Sequence, residues 1–133
     1  MDAAGNAPDL THFGHMFDDS GITLITCSGI SNTGKLTTKA GEMLIRRYPG
    51  LIELCLSVRS DPKRLLDVLV QADCIVVLDG CSECCGVKKV QEQGYDPNIH
   101  LIATDYGITK AGMEDPRFDE IDILTGIVRE RLR

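Results

Sequence analysis

Short apolar runs rich in β-branched residues alternate along this chain with longer runs of helical periodicity, and that order leaves few folds open. Ile22-Thr23-Leu24-Ile25-Thr26 reads as a first strand. A small, polar, glycine-bearing loop from Cys27 to Lys35 leads into a helix on which Leu36, Ala40, Met43 and Leu44 recur, ended by Pro49-Gly50. Leu51 to Val58 reads as the second strand, with Cys55 in its second half. Asp61 caps the next helix, Pro62 fits its first position, and Leu65, Leu66, Leu69 and Val70 form its buried stripe. Cys74 to Leu78 is the third strand, followed by a helix closed by Gly94. Ile99 to Thr104 is the fourth. A last helix has Asp115 as cap, Pro116 at its first position, and an apolar face of Phe118, Ile121, Leu124, Ile127, Val128 and Leu132. Strict alternation means a parallel sheet covered on both faces, with right-handed crossovers. The expected fold is therefore α/β, three layers, Rossmann/flavodoxin-like, with a mainly parallel sheet of about four strands in the order 2-1-3-4.

That fold gives meaning to the cysteines. Three of the six lie within five residues, in Cys81-Ser82-Glu83-Cys84-Cys85. Ligands in open α/β sheets bind beyond the carboxyl ends of strands, where the strand order reverses. Cys27 follows the first strand, Cys55 falls near the end of the second, and Cys81, Cys84 and Cys85 follow the third. Five cysteines from three distant segments are thus expected at one sheet edge. A helix beginning near Cys81 would put Cys81, Cys84 and Cys85 on one face, where free N–H groups and the helix dipole favour thiolate. Cys74 starts its strand at the opposite edge and reads as a small core residue.

The totals narrow the class. At 133 residues the chain is long enough for one domain with its own core. Residues 1–20, polar and small, read as a flexible N-terminal arm, and 21–133 as a single α/β domain. His12 and His15 in that arm read as an exposed tail rather than a metal site. A net charge of −6 argues against nucleic acid as a partner, since phosphate contacts need clustered Lys and Arg. No apolar run approaches membrane-spanning length, and the N-terminus lacks a secretory pattern, so the expected location is cytoplasmic. In a reducing compartment, clustered cysteines point to metal or redox work rather than disulfides. The expected partners are a small anion, a metal or a thiol; the oligomeric state stays open, a homodimer included.

Three other chemistries meet an obstacle in the residues. Gly29-Ile30-Ser31-Asn32-Thr33-Gly34-Lys35 fits the phosphate-loop pattern, but Leu36 stands where Mg²⁺ binding needs Ser or Thr. The loop residues Ser28, Gly29, Ser31, Asn32, Gly34 and Lys35 remain candidates for holding a small anion. A phosphatase or arsenate reductase with Cys27 as nucleophile would need an Arg closing that loop, and none is there. Cys81-Ser82-Glu83-Cys84 is a C-x-x-C at a helix start, as thiol–disulfide exchange requires. A thioredoxin-like fold would end in a hairpin, and this chain ends in a helix pattern. A thiol-redox enzyme or sulfur carrier using Cys81, Cys84 and Cys85 stays the alternative to metal binding. No residue set here names a reaction.

Cys27-Ser28-Gly29 with Ser31-Asn32 and Gly34, Cys55 in the second strand, and Asp79-Gly80-Cys81 with Cys85 together resemble the DGC-domain family. The resemblance spans roughly Ile22 to the end of the chain. It implies a zinc-binding domain with four ligands, carried onto Cys27, Cys55, Cys81 and Cys85. Ser82 stands where the family usually has proline, and Cys84 is an additional thiol. The geometry expected of zinc accepts three of the four more easily. Zn–S bonds of about 2.3 Å bring sulfurs close together, whereas Cys55 must lean across a strand spacing of about 4.8 Å. A water, an anion or Cys84 are the other ways to complete the tetrahedron.

Overall fold

The computed structural model describes residues 20–132, so the expected arm, with His12 and His15, lies outside the described residues except for Ser20. The elements run β1 (Ile22–Thr26), α1 (Asn32–Arg47), β2 (Leu54–Ser57), α2 (Pro62–Gln71), β3 (Cys74–Asp79), α3 (Cys85–Glu92), β4 (Ile99–Ile102), a 3-10 turn (Ala103–Tyr106) and α4 (Phe118–Arg131). All four strands are parallel, in the order β2-β1-β3-β4, as the alternation predicts.

Two apolar layers sandwich the sheet. On one face Leu24, Val76, Leu78 and Leu101 close against Leu36 and Leu44 of α1 and Leu124 and Val128 of α4. On the other, Ile25, Leu56, Ile75 and Val77 close against Leu65 and Leu69 of α2 and Val90 of α3. Each fully buried aliphatic side chain contributes about 1.5–3 kcal/mol. The strands alternate sides residue by residue, so Leu24 and Ile25 belong to different cores.

Several element ends differ from expectation, each for a local reason. α1 begins at Asn32 because Ser31 Oγ accepts from the Gly34 N–H at 3.1 Å, which places Gly34 and Lys35 in the first turn rather than in a loop. β2 is shorter than expected, Leu54–Ser57, so Cys55 is its second residue, not a late one. α3 begins at Cys85, not near Cys81. Cys84 precedes it in the left-handed conformation (φ +52°), and its N–H meets the Cys81 carbonyl at 3.1 Å, so Cys81 to Cys84 form a turn. α4 begins at Phe118, not at Pro116, because the Glu120 carboxylate reaches back to the Arg117 N–H at 2.9 Å. Phe118 is 73% exposed, one turn ahead of where the helix meets the core at Ile121. Leu66 and Val70 likewise fall on the flank of α2, leaving Leu65 and Leu69 as its buried pair.

Candidate metal centre

The loops after β1 and β3 meet at the carboxyl edge of the sheet, and glycines let them touch. A Cβ on Gly80 would lie 2.6 Å from the Thr33 carbonyl, and one on Gly34 would lie 2.6 Å from the Gly29 backbone. This contact floors a cavity of about 670 Å³ on the α2–α3 side of the sheet. Cys27 extends the β1 ladder by one residue, its N–H bonded to the Leu78 carbonyl at 3.1 Å. Its side chain lines the cavity with Cys81 and Cys85, and its sulfur also lies 3.8 Å from the Thr37 hydroxyl of α1.

The fourth expected ligand lies elsewhere. Cys55 pairs with Leu24 and packs into the α1–α4 core, on the opposite face of the sheet. Its sulfur presses on α1, 2.9 Å from where a Gly41 Cβ would stand. Burial, with the Glu42 carboxylate a smaller cause, pushes the Cys55 thiol from 9.0 up to about 11. The folded chain thus holds this proton more tightly than the unfolded one. The resulting stability is whole below pH 9 and is lost as pH rises through 11. That difference is worth about 2–3 kcal/mol. Between pH 9 and 11 the wild type should lose about that much more stability than Cys55→Ala, read from urea midpoints. Equal losses would show that Cys55 is not held as a buried neutral thiol. Cys74, at the start of β3, packs against the α1–α4 core, as its position predicts.

The six residues expected to form an anion loop divide by role. Gly29, Ser31 and Gly34 line the cavity. The Ser28 hydroxyl sits 2.7 Å from both the Thr26 and the Thr38 hydroxyls, and its backbone is left-handed (φ +47°). The Asn32 side chain donates to the Thr109 carbonyl at 2.8 Å and accepts from the Ala111 N–H at 2.7 Å. Lys35 Nζ donates to the Met113 carbonyl at 2.6 Å. Asn32 and Lys35 therefore clamp the Thr109–Met113 loop, and that loop delivers Lys110 to the site. Lys110 Nζ stands 3.5 Å from Cys81 Sγ and 3.5 Å from a Glu83 carboxylate oxygen. The bond to Cys81, and then the charges of Cys81 and Glu83, push the Lys110 ammonium up, so it stays a cation beside the thiol. Sequence reading missed Lys110 because 29 residues separate it from Cys81.

Asp79 explains how Cys85 is placed. Its carboxylate, 1% exposed, accepts from the Gly86 N–H at 2.6 Å and the Val87 N–H at 3.3 Å, capping α3 from the end of β3. Cys84, the residue at the cap position, supplies no side-chain bond there. His100 Nε2 lies 2.7 Å from the second Asp79 oxygen. Register makes the pair neighbours: His100 stands opposite Val77 on β4, and Asp79 opposite Ile102. His100 went unremarked in the sequence, although a histidine inside an apolar strand marks a polar partner within.

Asp79, Cys84 and His100 form, among the described residues, the one trio whose ligand atoms all lie within 4.8 Å of one another. The trio and the six cysteines are compatible with metal binding. Both Asp79 oxygens already accept hydrogen bonds, so its proximity to His100 is accounted for without an ion. Burial, and then the Asp79 charge, push the Cys84 thiol up. No described helix is long and apolar enough to cross a membrane.

A family model described as the DGC domain matches residues 23–128. No curated protein and no solved structure gives a match.

Proposed function

The chain belongs to the DGC-domain family, and from that membership together with the thiol-lined cavity we propose that it binds one zinc ion through Cys27, Cys81 and Cys85. The observation that carries this reading is that these three cysteines, from two segments over fifty residues apart in sequence, line one cavity. The donor type fits, since thiolates suit zinc and three protein ligands with an open fourth position are the arrangement of sites that handle a substrate; the three sulfurs do not all lie within 4.8 Å of one another, so binding would have to draw them together. Bound there, zinc would supply Lewis acidity. Lys110, shared between Cys81 and Glu83, offsets part of the charge of three thiolates. Cys55, neutral on the far face, takes no part in this set. The ligands must stay reduced, which the cytoplasm provides.

At Cys84, burial and then the Asp79 carboxylate favour the thiol over the thiolate that an attacking sulfur needs. Protein purified anaerobically should contain one zinc per chain at neutral pH. Thiolate ligation competes with protons, so the metal should be released by about pH 4. Metal content that is absent at neutral pH, or constant down to pH 4, would rule out thiolate ligation.

A further inference from the structure

The cavity is far larger than a metal ion needs. Its volume of about 670 Å³ matches sites for organic ligands, which run from about 300 to 1,000 Å³, while a water occupies about 30 Å³. Its walls are of two kinds. One is apolar, built from Ile30, Val58, Pro62 and Leu65, with Ile30 left 63% exposed at the rim. The other is charged. Lys89 and Lys110 line the cavity, but each already faces a carboxylate that also lines it, Glu92 at 3.9 Å and Glu83 at 3.5 Å. Arg59 lines it as well, and among the described residues it makes no ion pair. Arg59 follows β2 and the Cys81–Cys85 turn follows β3, on opposite sides of β1. The backbones that carry Arg59 and two of the three thiols are thus separated across the cavity mouth by about two strand spacings of 4.8 Å each.

We infer that this cavity takes an organic carboxylate with an apolar body. The carboxylate sits on Arg59, whose planar fork matches it in two parallel hydrogen bonds. The apolar body lies along Ile30, Val58 and Leu65 toward the thiols. One negative charge is favoured over the two of a phosphate monoester, because Glu83 and Glu92 share the walls. The inference deepens the zinc reading and rests on it for what the ligand's far end meets.

The test is calorimetric titration of the zinc-loaded protein with hexanoate, hexanol, hexylammonium, hexyl phosphate and acetate. Hexanoate should bind at least about tenfold more tightly than hexanol, the scale of one charge-assisted contact. Acetate, lacking the body, should be weaker than hexanoate, and hexylammonium weaker still. Hexyl phosphate should not exceed hexanoate. Arg59→Gln should erase the preference for hexanoate over hexanol, and Arg59→Lys should keep part of it. Metal content of the same samples reports separately on the zinc reading and should not change in either variant. Equal binding of hexanol, tighter binding of hexyl phosphate, an unchanged preference in Arg59→Gln, or loss of metal alone in that variant would each overturn the inference.

Discussion

Replacing Asp79 with alanine is expected to destabilise the domain by about 3–5 kcal/mol, since it leaves two amide donors and a ring nitrogen without their acceptor at about 1–3 kcal/mol each. The side chain is 1% exposed and serves three donors: the N–H groups of Gly86 and Val87 and the ring of His100. Without it the first turn of α3 loses the one side-chain cap it has among the described residues, since Cys84 makes none. Gly86 lies directly against the carboxylate, where an added Cβ would stand 2.7 Å from Oδ1, so it offers no side chain to fill the space left. Urea unfolding should show a midpoint lowered by more than about 1 M, given a slope of 1–3 kcal/mol per molar for a domain of this size. Asp79→Asn keeps one acceptor and should lose roughly half as much. His100→Ala should cost only about 1 kcal/mol, because Asp79 still accepts both amides. A midpoint for Asp79→Ala within about 0.3 M of wild type would mean the carboxylate is not what holds α3.

The parallel sheet and its order were legible because alternating periodicity and right-handed crossovers leave few arrangements open: a run such as Cys74–Leu78 is apolar throughout and needs no tertiary information to be read. Element ends were less legible. Ser31, Glu120 and the left-handed Cys84 each moved a helix start by a few residues, through bonds that depend on which cap wins locally. The site was legible as a sheet edge but not as a face. Moving Cys55 back from the end of its strand to the second residue leaves it level with Leu24, whose side chain points into the α1–α4 core. Register decides the side of a sheet in steps of one residue, and no composition argument supplies it. The Asp-Gly-Cys run was visible as a pattern, yet its physical content is tertiary. Asp79 caps α3, Gly80 admits the Thr33 carbonyl, and Cys81 faces Lys110.

The same division by face sets the expected result of replacing the cysteines one at a time. Serine at Cys27, Cys81 or Cys85 should lower zinc affinity by more than the 10–100-fold typical of losing an outer partner, because each removes a ligand itself. Secondary structure should persist, since the two cores hold the sheet without reference to the cavity. Serine at Cys74 should leave metal content unchanged. Serine at Cys55 should leave it unchanged too, while costing stability, because it puts a hydroxyl into the α1–α4 core beside Gly41. Cys84→Ser separates the trio from the cavity. Cys84 lies within reach of Asp79 and His100 but does not line the cavity with the other three thiols, so zinc should remain after its substitution. Zinc content measured by atomic spectroscopy, with thiol titration in parallel, reads all six variants on one scale. Loss of zinc in Cys84→Ser together with retention in Cys85→Ser would move the metal to Asp79, Cys84 and His100. Loss in Cys55→Ser at undiminished stability would restore the four-cysteine set and require β2 to shift toward the cavity.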